Sequence, residues 1–150
     1  MRRPGLSGNE RWRNNWRVVS PAGAVRVDLE RSAAKRRGAA GTARDLPPGT
    51  PVVLAATAPG AFRRCRTFAL NAGIEPEREY LAFPSASAPA YLVEDAPAPV
   101  RVFVETVLVI PPGTVFSTPI GIGLSLLRAV APWRLTRMLA PGRILVGRRA

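Results

Sequence analysis

The chain has 150 residues, enough for one domain of ordinary size with a buried core. Lysine and arginine total 22 against 10 acids, a formal net charge of +12, and all of those bases but Lys35 are arginine. With no histidine and one cysteine, Cys65, the sequence excludes a histidine- or cysteine-built zinc site, an intrachain disulfide, and Ser-His-Asp or Cys-His catalysis.

Met1 to Asn15 is an arginine-rich arm with no apolar segment of the signal-peptide kind, so the cytoplasm is the expected compartment, with a peripheral position at the membrane as the alternative. Trp16 to Ser20 and Ala24 to Glu30 are β-prone runs around Pro21-Ala22-Gly23. In the second run Val25, Val27 and Leu29 alternate with Arg26, Asp28 and Glu30, which predicts a β-hairpin. Arg31 to Asp45, small and basic, reads as a linker. A boundary is expected there: 1–45 as basic arm, hairpin and linker, 46–150 as an α/β domain with a helical insert over 84–141.

Leu46 to Thr50 is a turn, and Pro51 to Thr57 (PVVLAAT) is a continuous apolar run that suits a strand covered on both faces. Ala61 to Ala72 has helical spacing, with Phe62, Cys65, Phe68 and Ala69 on one face and Gly73 placed for a left-handed cap. Ile74 to Phe83 returns as a strand. After Pro84 comes a run of small residues and prolines, then Tyr91-Leu92-Val93 before Glu94 and Asp95. Pro97 to Ile110 is rich in valine, yet Val100, Phe103, Val104, Val107 and Leu108 form one helical stripe, with Pro97 and Pro99 suited to a helix start. Thr106 to Leu127 carries no charge and is long enough to span a bilayer, but Pro111, Pro112, Gly113 and Pro119 break any helix there. Two short helices are expected over Gly121 to Ala131 and Trp133 to Leu139, and a last strand over Arg143 to Arg148.

The expected fold is therefore α/β: a small mixed sheet with its last strand antiparallel and helices on its faces, preceded by a β-hairpin and a basic N-terminal arm. An incomplete sheet of this kind would leave an unpaired edge at Pro51 to Thr57, which would seek a partner.

Several residues invite functional readings. Glu75, Glu77 and Glu79 alternate along a strand; they read as a solvated edge that neutralises nearby arginines rather than as acid–base machinery. Glu94-Asp95 reads as a helix start near the positive end of the dipole, with metal or sugar-hydroxyl binding as the alternative. Cys65 on the apolar helix face reads as a small hydrophobe. Arginine interleaved with tryptophan in RWRNNWR (Arg11, Arg13, Arg17), with Lys35, Arg36 and Arg37 as a second cluster, suits single-stranded nucleic acid, an anionic membrane surface, or a solvated basic tail. Trp133, Arg134, Arg137 and Met138 fit a bilayer interface or packing against the sheet. Abundant arginine, alanine, proline and glycine point to a high-GC bacterial genome, which accounts for part of the charge.

LPPGTPVVLAAT, the helix ending in NAGIEPEREYLAF, and the final PGRILVGRR resemble the C-terminal third of class I S-adenosylmethionine-dependent methyltransferases. The resemblance implies a fifth strand after a Pro-Gly turn, a helix reaching the sixth strand through the Ala72-Gly73 corner, and a seventh strand returning antiparallel beside it. It places a substrate-covering insertion after Phe83, so that Tyr80, Ser85, Ser87, Tyr91, Glu94 and Asp95 would face a substrate pocket. No G-x-G-x-x-G occurs, and too little chain precedes Leu46 for four further strands with their helices. The expected cofactor content of this chain alone is thus none. S-adenosylmethionine would enter with a second chain that completes the sheet.

Overall fold

In a computed structural model, residues 15, 18–29, 41–107 and 132–150 are described. The strands are β1 (Val25–Asp28), β2 (Pro51–Thr57), β3 (Ile74–Phe83), β4 (Tyr91–Glu94) and β5 (Gly142–Arg149). The helices are α1 (Ala61–Ala72), α2 (Pro97–Thr106) and α3 (Pro132–Leu139). The chain divides into two compact units, Met1–Leu92 with Ala140–Ala150, and Val93–Leu139.

The strands form one sheet in the order β1-β2-β5-β3-β4. β1 pairs in parallel with β2, Val25 opposite Val52. β5 lies between β2 and β3 and runs against both, with Leu54 opposite Leu145 and Tyr80 opposite Ile144. The fold is thus the expected mixed α/β sheet with its last strand antiparallel. Alternation along β2 explains why an uninterrupted apolar run suits it. Val52, Leu54 and Ala56 enter a core cluster with Cys65, Phe68, Ala69 and Ala72 of α1. Val53 and Ala55 enter a second cluster with Ile144, Val146, Ala82 and Ala86, against which Val19, Tyr80 and Leu92 pack. Burying Phe68 alone is worth about 1.5–3 kcal/mol.

α1 ends where its sequence says it should. Gly73 adopts φ 64, and its N–H caps the carbonyls of Ala69 and Leu70. That left-handed conformation costs glycine nothing and releases the chain directly into β3.

Three expectations are corrected. The β-hairpin does not form: Val18 and Val19 are helical, and β1 takes β2 as its neighbour, because Val27 and Leu29 gain a core there that a two-stranded ribbon lacks. β2 is not an edge, since β1 and β5 flank it; among the described strands the edges are β1 and β4. Glu75, Glu77 and Glu79 do not share one solvated edge. β3 is internal, and a bulge between Pro76 and Arg78 shifts the alternation, so that Glu79 turns under α1. There it holds Arg143 at 2.6 Å and Arg66 at 2.8 Å, while Glu77 pairs with Arg148 at 2.6 Å. The Arg143 side chain is 2% exposed, and its guanidinium lies 4.5 Å from the Phe62 ring centre. Burial pulls the Arg143 guanidinium below its ordinary pKa, and the hydrogen bond it donates to Glu79 opposes that fall.

In the second unit α2 buries Val100, Phe103 and Val104, the first three residues of the expected stripe. Asp95, just ahead of α2, accepts a 3.0 Å hydrogen bond from Trp133 Nε1 and pairs with Arg137 at 2.9 Å. Its side chain is buried, and those bonds tie α3 to the start of α2. The expected helix over 121–131, and 108–127 of the uncharged stretch, lie outside the described residues. No helix among the described residues is long and apolar enough to cross a membrane.

Candidate binding cleft at the carboxyl ends of the parallel strands

Because β1 and β2 are parallel, their carboxyl ends open on one end of the sheet, where side chains and loops meet without a ladder to fill the space. β3 runs in the same sense as β2, since both oppose β5. The loop after β3 therefore emerges at that same end. A cleft of about 430 Å³ lies there, lined by Arg26, Asp28 and Leu29 from β1 and its exit, and Ala55 and Thr57 from β2. Arg64 of α1, with Ala86 and Ser87 of the loop after β3, completes it.

Each wall has a local cause. Arg26 and Asp28 are two residues apart on an edge strand, so they share a face, and they form a 2.9 Å ion pair. Arg64 lies one turn inside α1 and folds back over the turn that feeds it. Its Nη1 donates to Pro59 O at 2.7 Å and its Nη2 to Thr57 O. The Ser85 hydroxyl accepts from Ala88 N at 3.2 Å and bonds the Ser87 hydroxyl at 3.1 Å, which shapes the loop as a serine turn. That loop reaches the cleft by crossing Gly142 at the start of β5. A Cβ on Gly142 would fall inside contact distance of Ala86 N, and 2.8 Å from Ser85 C.

No protein-family model, curated protein or solved structure matches this chain.

The cleft supplies guanidinium and hydroxyl donors beside one carboxylate, over an apolar floor of Leu29, Ala55 and Ala86. That set suits a small polar ligand with both acceptor and donor groups. Of the residues expected to face a substrate pocket, Ser87 lines the cleft and Ser85 bonds it. Tyr80 packs on the second core cluster, within the sheet. Tyr91 is exposed on β4. Glu94 and Asp95 belong to the second unit, where Asp95 is engaged by Trp133 and Arg137. Arg11, Arg13, Arg17, Lys35, Arg36 and Arg37 lie outside the described residues. The arm's one described residue within Met1 to Asn15, Asn15, donates through Nδ2 to Pro89 O at 2.8 Å and Ala90 O at 2.9 Å.

Arg26, Asp28, Thr57 and Arg64 fall outside the sequence expectation, because a hairpin at β1 does not bring Asp28 to the end of β2. The carboxyl-end rule that points to Phe83–Ser87 points equally to Asp28 and Thr57 once β1 lies parallel to β2.

Cys65 lies on the inner face of α1 and is fully buried in the first core cluster. Burial pushes its thiol up to about 12; Arg143 and Arg64 oppose the rise and Glu79 adds to it. An inert structural thiol follows. Folded protein at pH 8 should resist a thiol-labelling reagent, and protein in urea should take up one equivalent; rapid labelling of the folded chain would count against this placement. The unfolded thiol titrates near 9.0, so the stability gained from keeping Cys65 neutral is complete below that pH and is lost as pH rises from 9.0 toward about 12. Thermal melts should show a fall above pH 9 that is smaller in Cys65→Ala.

Proposed function

We propose that the sheet and its carboxyl-end cleft are the substrate-side part of a methyltransferase-like domain that is not catalytic on its own. One observation carries this reading: β5 runs antiparallel beside β3, with β2 and β3 parallel in sense, as the resemblance in LPPGTPVVLAAT, NAGIEPEREYLAF and PGRILVGRR implies. The cleft would hold the acceptor substrate between Arg26, Asp28 and Ser87. Two features support a methyl donor held elsewhere: the sequence contains no G-x-G-x-x-G, and Arg64 closes the turn after β2 onto Thr57 and Pro59. The methyl donor would therefore come with a second chain. β1, an edge among the described strands, is parallel to β2, so a further parallel strand can be added beyond it.

Titration calorimetry tests the proposal. S-adenosylmethionine injected into this chain alone should give no binding heat. The same injection after mixing with the product of a neighbouring gene should give a saturable heat, and Asp28→Asn should leave that heat intact while abolishing methyl transfer. Saturable binding by the isolated chain overturns the division of labour. No binding in any mixture overturns the methyltransferase-like reading.

A further inference from the structure

Helix α3 leaves two large apolar side chains exposed while it buries a threonine. Its inward side carries Thr136, which is buried, with half-buried Trp133 and Arg137, the last two bound to Asp95. Its outward side carries Met138, 81% exposed, Leu139, 64% exposed, and the exposed Arg134. Arg134 and Met138 are four residues apart, so a cation sits one turn from the most exposed apolar side chain.

We infer that this outward side docks the unit Val93–Leu139 on an anionic lipid surface. Two apolar side chains make too small a patch for a stable protein–protein interface, which needs on the order of 800 Å² per partner. They are enough to enter the boundary between headgroups and acyl chains when charge holds the helix in the interfacial plane. The charge is present: the chain carries +12 and Arg134 flanks the patch. Trp133 and Arg137 are spent on Asp95, so the contact falls to Met138, Leu139 and Arg134. The sequence ahead of α3 is consistent with a membrane surface, since Thr106 to Leu127 carries no charge. This inference is independent of the methyltransferase-like reading.

Co-sedimentation of the full chain with phosphatidylcholine vesicles, with and without phosphatidylglycerol, tests it. Binding should require phosphatidylglycerol and survive in part at high salt. The double variant Met138→Ser/Leu139→Ser should lower the partition coefficient about tenfold, since each side chain gives up its burial in lipid. Arg134→Gln should lower it about fivefold, the share of one cation near an anionic surface. Both variants alter exposed positions and should keep the parent melting curve, which separates lost docking from lost folding. Undiminished binding by the double variant overturns the inference. So does binding that salt abolishes entirely or that single-stranded DNA displaces, which would be charge attraction to a nucleic acid. A parent dimer that the double variant turns into a monomer, with no vesicle binding by either, also overturns it and assigns the face to a contact between copies.

Discussion

Glu79→Ala should lower the urea midpoint by about 1–3 M, the equivalent of losing about 3–5 kcal/mol. The reason is the company Glu79 keeps under α1. Its carboxylate receives Arg143 at 2.6 Å and Arg66 at 2.8 Å, and is itself 11% exposed. Arg143 cannot follow its partner out to water, because its side chain is 2% exposed and its guanidinium is stacked against Phe62. Removing the carboxylate leaves a desolvated cation in a site that burial already makes unfavourable for charge, as the lowered pKa of Arg143 records. The opposite deletion should be milder. Arg143→Met fills the slot beside Phe62 with an apolar chain of similar length, and Glu79 keeps Arg66 at the protein surface. The double variant Glu79→Leu/Arg143→Met should recover most of the loss, because replacing both charges by apolar groups removes the desolvation cost altogether. Equilibrium unfolding of Glu79→Leu, Arg143→Met and their double variant closes a cycle and measures a coupling of at least about 1 kcal/mol. A Glu79→Ala protein with the parent midpoint would show that Arg143 is hydrated in solution and that the pair is not buried.

The second large effect comes from the glycines at the two ends of β5. Gly147 faces the bulge of β3, where an added Cβ would fall inside contact distance of Glu75 O and 3.0 Å from Ile74 Cγ2. Gly142 lies under the loop that carries Ala86 and Ser87 to the cleft. In both places the obstruction is backbone, which cannot rotate away as a side chain can. Each alanine substitution should therefore cost about 3 kcal/mol or more, at the upper end of overpacking effects. The two should differ in what else they disturb. Gly142→Ala must lift the loop at Ser85–Ala86, so amide resonances of Ser87, Thr57 and Asp28 should shift. Gly147→Ala, at the other end of the strand, should move those of Ile74, Glu75 and Val52 and leave the cleft residues in place. Equal perturbation of the cleft by both would mean that the loop does not rest on Gly142.

Much of the fold is legible locally. β2 over Pro51–Thr57, α1 over Ala61–Ala72 and β3 over Ile74–Phe83 have the bounds read from their apolar patterns, and Gly73 caps as its position predicts. Valine-rich Pro97–Thr106 is helical despite its composition, because the spacing of Val100, Phe103 and Val104 outweighs β propensity. The site was less legible. Ser87 follows from the end of β3, whereas Arg26, Asp28 and Arg64 become neighbours only when β1 lies beside β2. Tyr91–Glu94 forms a short edge strand where a loop insertion was expected, because β3 offers it a ladder that no local pattern announces.

What the sequence by itself determined is the set of elements with local causes: apolar period, proline placement, glycine caps, and the absence of histidine that excludes whole classes of catalysis. The tertiary structure alone decided that β1 joins β2 in parallel, that β5 enters between β2 and β3, and that Glu79 turns inward to meet Arg143. The physical reason is range. Helix periods and caps are set by residues a few positions apart, whereas strand neighbours, a bulge and a buried ion pair are chosen by burial between segments distant in the chain. The Glu79–Arg143 bond, which spans 64 positions, is such a choice.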